Sequence, residues 1–223
     1  MKFDCHYSKR ESGSDGCGSA LDVRPMKLFL FGQIGSGKSH VGHLLGERFN
    51  LHFHDADDDL PTSIRIAVKN HLPISDTMRD EFTEIIVSRI RSLSTRHENL
   101  CVAQALFKNK HREKLLCALP DIRMVWVRSH PDLIARRLER RTDHLATAYY
   151  ATVVNPKFEV PTIPHESVEN TEDGCLLDHR LAELITRIRS NQALEPMASA
   201  PSAQALLQFH ACGHSRRGSA LDR

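Results

Sequence analysis

Gly32-Gln33-Ile34-Gly35-Ser36-Gly37-Lys38-Ser39 satisfies the pattern G-x-x-x-x-G-K-[ST] at every specified position. The run Met26-Lys27-Leu28-Phe29-Leu30-Phe31 stands directly before it and reads as a buried strand, because it is apolar without alternation. After the octet, Val41, Leu44, Leu45 and Phe49 recur at helical spacing, so the loop opens an amphipathic helix. Strand, glycine-rich turn and helix N-terminus together make an anion cradle. The glycines let backbone N–H groups curl around phosphate with no Cβ in the way, and the helix dipole presents its positive end. Lys38 can reach the outer phosphates and the Ser39 hydroxyl can ligate Mg²⁺. The whole octet, Gly32, Gln33, Ile34, Gly35, Ser36, Gly37, Lys38 and Ser39, is therefore assigned to a nucleotide, with ATP and Mg²⁺ as cofactors.

Leu51-His52-Phe53-His54 reads as a second strand running into Asp55-Ala56-Asp57-Asp58-Asp59. An acidic run is often only a solvated turn, but the carboxyl edge of a parallel sheet is where such folds bind ligands. The third strand, Leu100-Cys101-Val102-Ala103, ends in Gln104 and Ala105 rather than an acid, which leaves metal support to the second. Period 2 puts Asp55 and Asp57 on one side of an extended segment. Both could then face the γ-phosphate, at a magnesium and proton-handling site.

Strand and helix patterns alternate along the rest of the chain. A short helix falls between Pro61 and His71, and a long one follows a Ser75 or Asp76 cap with Phe82, Ile85, Ile86, Ile90 and Leu93 as its apolar stripe. Lys108 to Leu119 is helical in pattern, Arg123 to Val127 is a fourth strand, and Pro131 opens a basic helix reaching Arg141. A turn-rich stretch then runs to His165. Val168-Glu169-Asn170-Thr171 reads as a fifth strand and its exit loop, and Leu181, Leu184, Ile185 and Ile188 form a last helix ending near Ser190. The expected fold is a three-layer α/β sandwich with a central parallel sheet of about five strands, of the P-loop NTPase, nucleoside-kinase-like kind, with a mobile lid at about 142–165. The domain spans 26–190, and the polar stretches 1–25 and 191–223 read as disordered tails.

The 223 residues suit one such domain, and the formal charge of +2, from 30 basic and 28 acidic residues, gives no pull towards nucleic acid or membrane. Six cysteines lie without a C-x-x-C pair, and Cys101 and Cys117 sit in apolar segments as small hydrophobes would, so free thiols and a cytoplasmic setting are expected. His43, His52 and His54 match no zinc template. Arg136, Arg137, Arg140 and Arg141 make either a solvated basic face or a group that swings over the nucleotide.

With these residues in place, the chain from about Met26 to Ile188 resembles the gluconate kinase family and, more distantly, shikimate kinase. Phe53-His54-Asp55-Ala56-Asp57 is similar to that family's F-x-D-G-D, and Pro73-Ile74-Ser75-Asp76-Thr77-Met78-Arg79 to its P-L-x-D-x-D-R. Lys108 and Arg112 match its K-x-x-Y-R, with His111 in the tyrosine place, and Arg137-Leu138-Glu139-Arg140-Arg141-Thr142-Asp143-His144 looks like the R-L-x-x-R-x-x-H that opens its lid. The resemblance implies an ATP-dependent phosphotransferase acting on an alcohol group of a small, anionic, gluconate-like sugar acid. It places Lys38, Asp57 and Arg141 in catalysis, Arg137 and Asn170 at the nucleotide, Asp57, Arg79 and His144 at the acceptor, and Ser39 with Asp55 at the metal. Two segments depart from the family. Its H-P-x-x-N-I-x-K-M appears here as Leu60-Pro61-Thr62-Ser63-Ile64-Arg65-Ile66-Ala67-Val68, and its lid motif P-x-S-L-L-x-S-Q as Thr147-Ala148-Tyr149-Tyr150-Ala151-Thr152-Val153-Val154. A shikimate kinase-like enzyme, or a non-catalytic ATP-binding protein whose rebuilt lid contacts a partner or RNA, are the alternatives. The expected partner is the small acceptor, with nucleic acid and membranes not expected and a homodimer left open.

Overall fold

Five short strands, the inner ones apolar, build a parallel sheet in the order β2-β3-β1-β4-β5. These are β1 (Lys27–Phe31), β2 (His52–Asp55), β3 (Leu100–Ala103), β4 (Ile122–Arg128) and β5 (Glu166–Glu169). The computed structural model describes residues 25–140 and 148–194, with the side chains of 193 and 194 left aside. The expected tails, apart from Pro25 and 191–194, lie outside the described residues, as do Arg141 and His144 of the expected site. The chain divides into two compact units, Met1–Ile185 and Thr186–Arg223. The sheet and the candidate site belong to the first.

β1 is the centre of the sheet, paired with β3 (Leu28 opposite Cys101) on one side and β4 (Leu28 opposite Arg123) on the other. Its residues Leu28 to Phe31 are fully buried, which explains why both faces read as apolar in sequence. Because all strands run the same way, the exits of β1, β2 and β3 reach one edge, and the loop after β1 lies where the strand order reverses.

The helices are α1 (Lys38–Phe49), α2 (Thr62–Lys69), α3 (Asp76–Ser94), α4 (Asn109–Ala118), α5 (Pro131–Glu139), α6 (Ala148–Val154) and α7 (Gly174–Leu194). α1 packs on β1, β2 and β3, and its Gly42 gives way to the ring of Phe53, since a Cβ there would sit 2.1 Å from Cε2. α3 is capped by Ser75, whose Oγ accepts from the Met78 N–H at 3.2 Å. Its Phe82, Ile86, Val87 and Ile90 join Phe29 and Phe31 of β1, Leu100 and Val102 of β3 and Leu115 of α4 in one core. Pro131 opens α5 at its first turn, where no N–H is needed.

Three expectations are corrected. Ala148–Val154 is a helix rather than a turn-rich stretch, because Tyr150, Ala151 and Val154 fall on one side and are buried. Ile85 is exposed, lying outside the α3 stripe, and Cys117 is exposed at the end of α4 while Cys101 is buried in β3. Burial in that apolar interior pushes the Cys101 thiol far above its ordinary range, so it behaves as a small hydrophobe. No helix among the described residues is long and apolar enough to cross a membrane.

Candidate active site

The loop Gly32–Ser39 is held in shape from two sides. Gly37 caps α1 at φ 85, in the left-handed region that favours glycine, and a Cβ there would lie 2.1 Å from Asn170 Nδ2. That Asn170 amide donates to the Ser36 carbonyl at 2.9 Å and accepts at Oδ1 from Arg137 Nη2 at 3.2 Å. Arg137 Nη1 also donates to the Ser36 carbonyl, at 3.3 Å, and to Ser129 Oγ at 3.1 Å. Arg137 and Asn170 thus grip the loop backbone and do not line the cavity beside it. On the other side Asn155, in the 3-10 turn after α6, brackets Ile34: its Oδ1 accepts from the Ile34 N–H at 2.9 Å and its Nδ2 donates to the Ile34 carbonyl at 3.0 Å. Lys38 Nζ folds back over the loop, donating to the carbonyls of Gly32 and Gln33 at 3.2 and 3.0 Å.

A cavity of about 500 Å³ opens beside the loop. It brings together Ile34, Gly35, Gly37, Lys38, Ser39, Asp55, Asp57 and Arg79 of the expected site, whereas Gly32, Gln33 and Ser36 complete the loop without lining it. Ser39 Oγ donates to Asp55 Oδ2 at 2.5 Å. The other carboxylate oxygen of Asp55 accepts the Asp57 N–H at 3.1 Å and so caps the 3-10 turn Ala56–Asp59. Asp57 therefore reaches the cavity from a turn, not from an extended segment in period with Asp55, which corrects the reason for grouping the two. Arg65 secures that turn, donating from Nη2 to the carbonyls of Asp57 and Asp58 at 2.7 and 2.9 Å and from Nε to Leu60 at 3.0 Å.

Asp57 opens to water through the cavity, yet the protein around its carboxylate pushes the pKa above the ordinary value, and the neighbouring Asp55 charge adds to this. Gln104, at the end of β3, works the other way by donating to Asp57 Oδ1 at 2.7 Å. A carboxylate with a raised pKa beside a phosphate loop is suited to take or orient a proton. Ser39 and Asp55 place one hydroxyl and one carboxylate side by side, hard oxygen donors of the kind Mg²⁺ uses when phosphate oxygens complete its shell.

Arg79, in the first turns of α3, lines the cavity with its guanidinium 5.7 Å from the Phe107 ring centre. Arg112, matched to the family motif, is fully buried: it stacks between Phe31 and Phe158 and donates to the carbonyls of Leu106, Phe107 and Glu159 at 2.8, 3.1 and 2.8 Å. Burial pulls its pKa down to about 10, so it stays charged at neutral pH. The three histidines weighed for zinc do not converge: His43 lines the cavity and meets the Phe53 ring edge at 4.7 Å, His52 stacks on His97 at 3.7 Å, and His54 Nε2 lies 2.6 Å from Asp59 Oδ2. Gln104, Asn155, Arg65 and Tyr150 were not picked from sequence as site residues. Only Asn155 carried a local signal, the Asn-Pro pair that marks a turn.

A parallel five-stranded sheet in this order, with a complete phosphate loop between β1 and α1 and carboxylates at the end of β2, defines a P-loop kinase fold with lid helices. The sequence model of the shikimate kinase family matches residues 34–152, more than half of the chain, and the chain belongs to that family. Among curated proteins it is similar to the gluconokinase of Arabidopsis thaliana, 26% identical over 149 residues that cover 62% of this chain and 79% of the relative. It is also similar to the thermosensitive gluconokinase of Escherichia coli (strain K12), 26% identical over 178 residues, 78% of this chain and 94% of the relative. Of solved structures, a gluconokinase from Sinorhizobium meliloti 1021 superposes with a TM-score of 0.64 at 22% identity, covering 76% of this chain and 96% of that one. A sugar kinase from Janibacter sp. HTCC2649 gives 0.65 at 15% identity, covering 74% and 98%. At these identities the superpositions speak for the fold.

Proposed function

We propose that the protein transfers the γ-phosphoryl group of ATP to a hydroxyl of a small anionic acceptor of the sugar-acid kind, with gluconate as the reference compound. The observation that carries this reading is the meeting of Lys38, Ser39, Asp55, Asp57 and Arg79 in one cavity at the carboxyl edge of the sheet. Lys38 leaves its loop carbonyls for the outer phosphates when nucleotide enters, and the loop N–H groups hold the phosphate chain. Ser39 and Asp55 would hold Mg²⁺. A bound Mg²⁺ supplies charge neutralisation on the transferring phosphoryl group. Asp57 orients the acceptor hydroxyl and accepts its proton, and Arg79 grips the acceptor carboxylate through its planar fork. Arg137 and Asn170 shape the loop that meets the nucleotide, while Arg141 and His144 are proposed to act from the segment that closes over the site. The residues 26–190 are proposed as the catalytic domain.

The test is acceptor-dependent ADP release across hydroxy acids, in the wild type and in Lys38→Ala. Release that requires both an acceptor and Lys38 supports the reading. ADP formation independent of any acceptor, or undiminished in a folded Lys38→Ala protein, contradicts it.

A further inference from the structure

The two ends of the cavity differ in chemistry. At the phosphate end lie Lys38, Ser39, Asp55, Asp57 and Gln104. The remaining wall comes from the exit of the acidic turn, α2, the segment before α3, α3 itself and α6: Leu60, Ile64, Val68, Ile74, Phe82 and Tyr150. Four of these are packed into the core with little exposure, Ile64 at 3%, Val68 at 5%, Phe82 at 8% and Tyr150 at 5%, so the wall is fixed rather than a set of loose side chains.

Beside these apolar side chains the wall carries Arg65, Arg79, Thr83, His111 and the phenol of Tyr150, and some of these polar groups are already committed. Arg65 is spread over the carbonyls of Leu60, Asp57 and Asp58. The Thr83 hydroxyl donates to the Arg79 carbonyl at 2.7 Å, within α3. His111 Nε2 lies 3.0 Å from Asp80 Oδ1 but makes no hydrogen bond, so it is not committed in the same way. Arg79 is the cation left facing the cavity, and among the described residues no carboxylate pairs with it. A polyol carrying several hydroxyls beyond the reacting one would press them against Ile64, Val68, Ile74 and Phe82 and lose their water without replacement. An apolar body has the opposite balance on the same wall. The segment Leu60–Val68 is also where His, Asn and Lys of the resembled motif give way to Leu60, Ile64 and Ala67.

We infer that the acceptor is a hydroxy acid with an apolar, ring-like or branched body: its carboxylate on Arg79, its single reacting hydroxyl at Asp57, and hydrocarbon between them against Ile64, Val68, Phe82 and Tyr150. The inference rests on the phosphoryl-transfer part of the kinase reading above and, for that same site, replaces the polyol body of a sugar acid by hydrocarbon. Ile64 and Leu60 are its specificity-determining residues.

Calorimetric titration of the full chain with Mg²⁺ and a non-hydrolysable ATP analogue tests it, comparing trans-4-hydroxycyclohexanecarboxylate with gluconate. The ring acid is expected to bind at least roughly tenfold more tightly, its carboxamide is expected to lose that advantage, and Ile64→Asn is expected to narrow the ratio. Gluconate binding as tightly as the ring acid, or no binding of the ring acid at millimolar concentration, overturns the inference. ADP release with ATP is read separately. ADP formed with gluconate and not with the ring acid leaves the kinase reading standing and the apolar subsite refuted; tight binding of the ring acid with no ADP from any acceptor leaves the subsite standing and refutes the kinase reading.

Discussion

Gln104 Nε2 donates a 2.7 Å hydrogen bond to Asp57 Oδ1, tying the end of β3 to the turn that follows its neighbour β2. The bond favours the ionised carboxylate and so opposes the burial and the Asp55 charge that raise its pKa. If Asp57 accepts the acceptor proton, activity needs it ionised, and the acid limb of kcat/KM against pH should lie above an ordinary aspartate. Gln104→Leu removes the one hydrogen bond that lowers this pKa, so the limb should move to higher pH. Gln104→Glu adds a negative charge and should move it further. A limb that stays in place in both variants would separate Asp57 from the proton transfer.

Asp55 and Asp57 share a cavity but hold different partners, Ser39 and the turn backbone for the first, Gln104 for the second. Their variants should therefore fail differently. Asp55→Asn should be partly rescued by raising Mg²⁺. Asp57→Asn should lower acceptor-dependent turnover by roughly 10²-fold or more with Mg·ATP affinity near wild type. Titration of Mg²⁺ and ATP on both proteins checks this, and identical defects would argue against divided roles.

Arg112 holds three main-chain carbonyls on the inner side of the cavity wall, one of them that of Leu106, whose φ of 37 lies in the left-handed region. Arg112→Met keeps much of the volume between Phe31 and Phe158 but takes the guanidinium donor from the Leu106 and Glu159 carbonyls, while the Phe107 carbonyl keeps the Glu159 N–H at 2.9 Å. A loss of about 3 kcal/mol in denaturant-measured stability is expected. A loss below about 1 kcal/mol would mean that water or relaxation replaces the guanidinium.

Asn155 reaches Ile34 across 121 residues of sequence and makes both of its backbone hydrogen bonds outside the loop. Asn155→Ala should loosen the apex of the phosphate loop while leaving the sheet intact. The KM for ATP should rise by roughly an order of magnitude with a smaller change in melting temperature. An unchanged KM would show that the loop holds its shape without the bracket.

Much of the sheet was legible because its signals are local: unbroken apolar runs for β1 and β3, a complete phosphate loop, Ser75 as a cap and Pro131 as a helix opener. α6 was not, since Tyr149, Tyr150, Thr152, Val153 and Val154 are poor helix formers, and burial of Tyr150, Ala151 and Val154 decides the conformation instead. The grouping of Asp55 with Asp57 rested on a strand period that ends at Asp55, where the backbone turns into a 3-10 helix capped by that same residue. Gln104 on Asp57, 47 residues apart, and Asn155 on Ile34 belong to no sequence period. The apolar wall was half legible: Leu60 and Ile64 stood out as departures from a motif, but only the fold places them with Phe82 and Tyr150 around one cavity.

The central claim is phosphoryl transfer to an alcohol, and the most direct measurement follows the γ-phosphoryl group itself. With γ-labelled ATP, Mg²⁺ and a panel containing gluconate, shikimate and ring-bodied hydroxy acids, the label should appear in an acid-stable phosphate ester of at least one acceptor, and Asp57→Asn should reduce that transfer by roughly 10²-fold or more. Label that stays in ATP, or passes only to inorganic phosphate with every acceptor, would contradict the account.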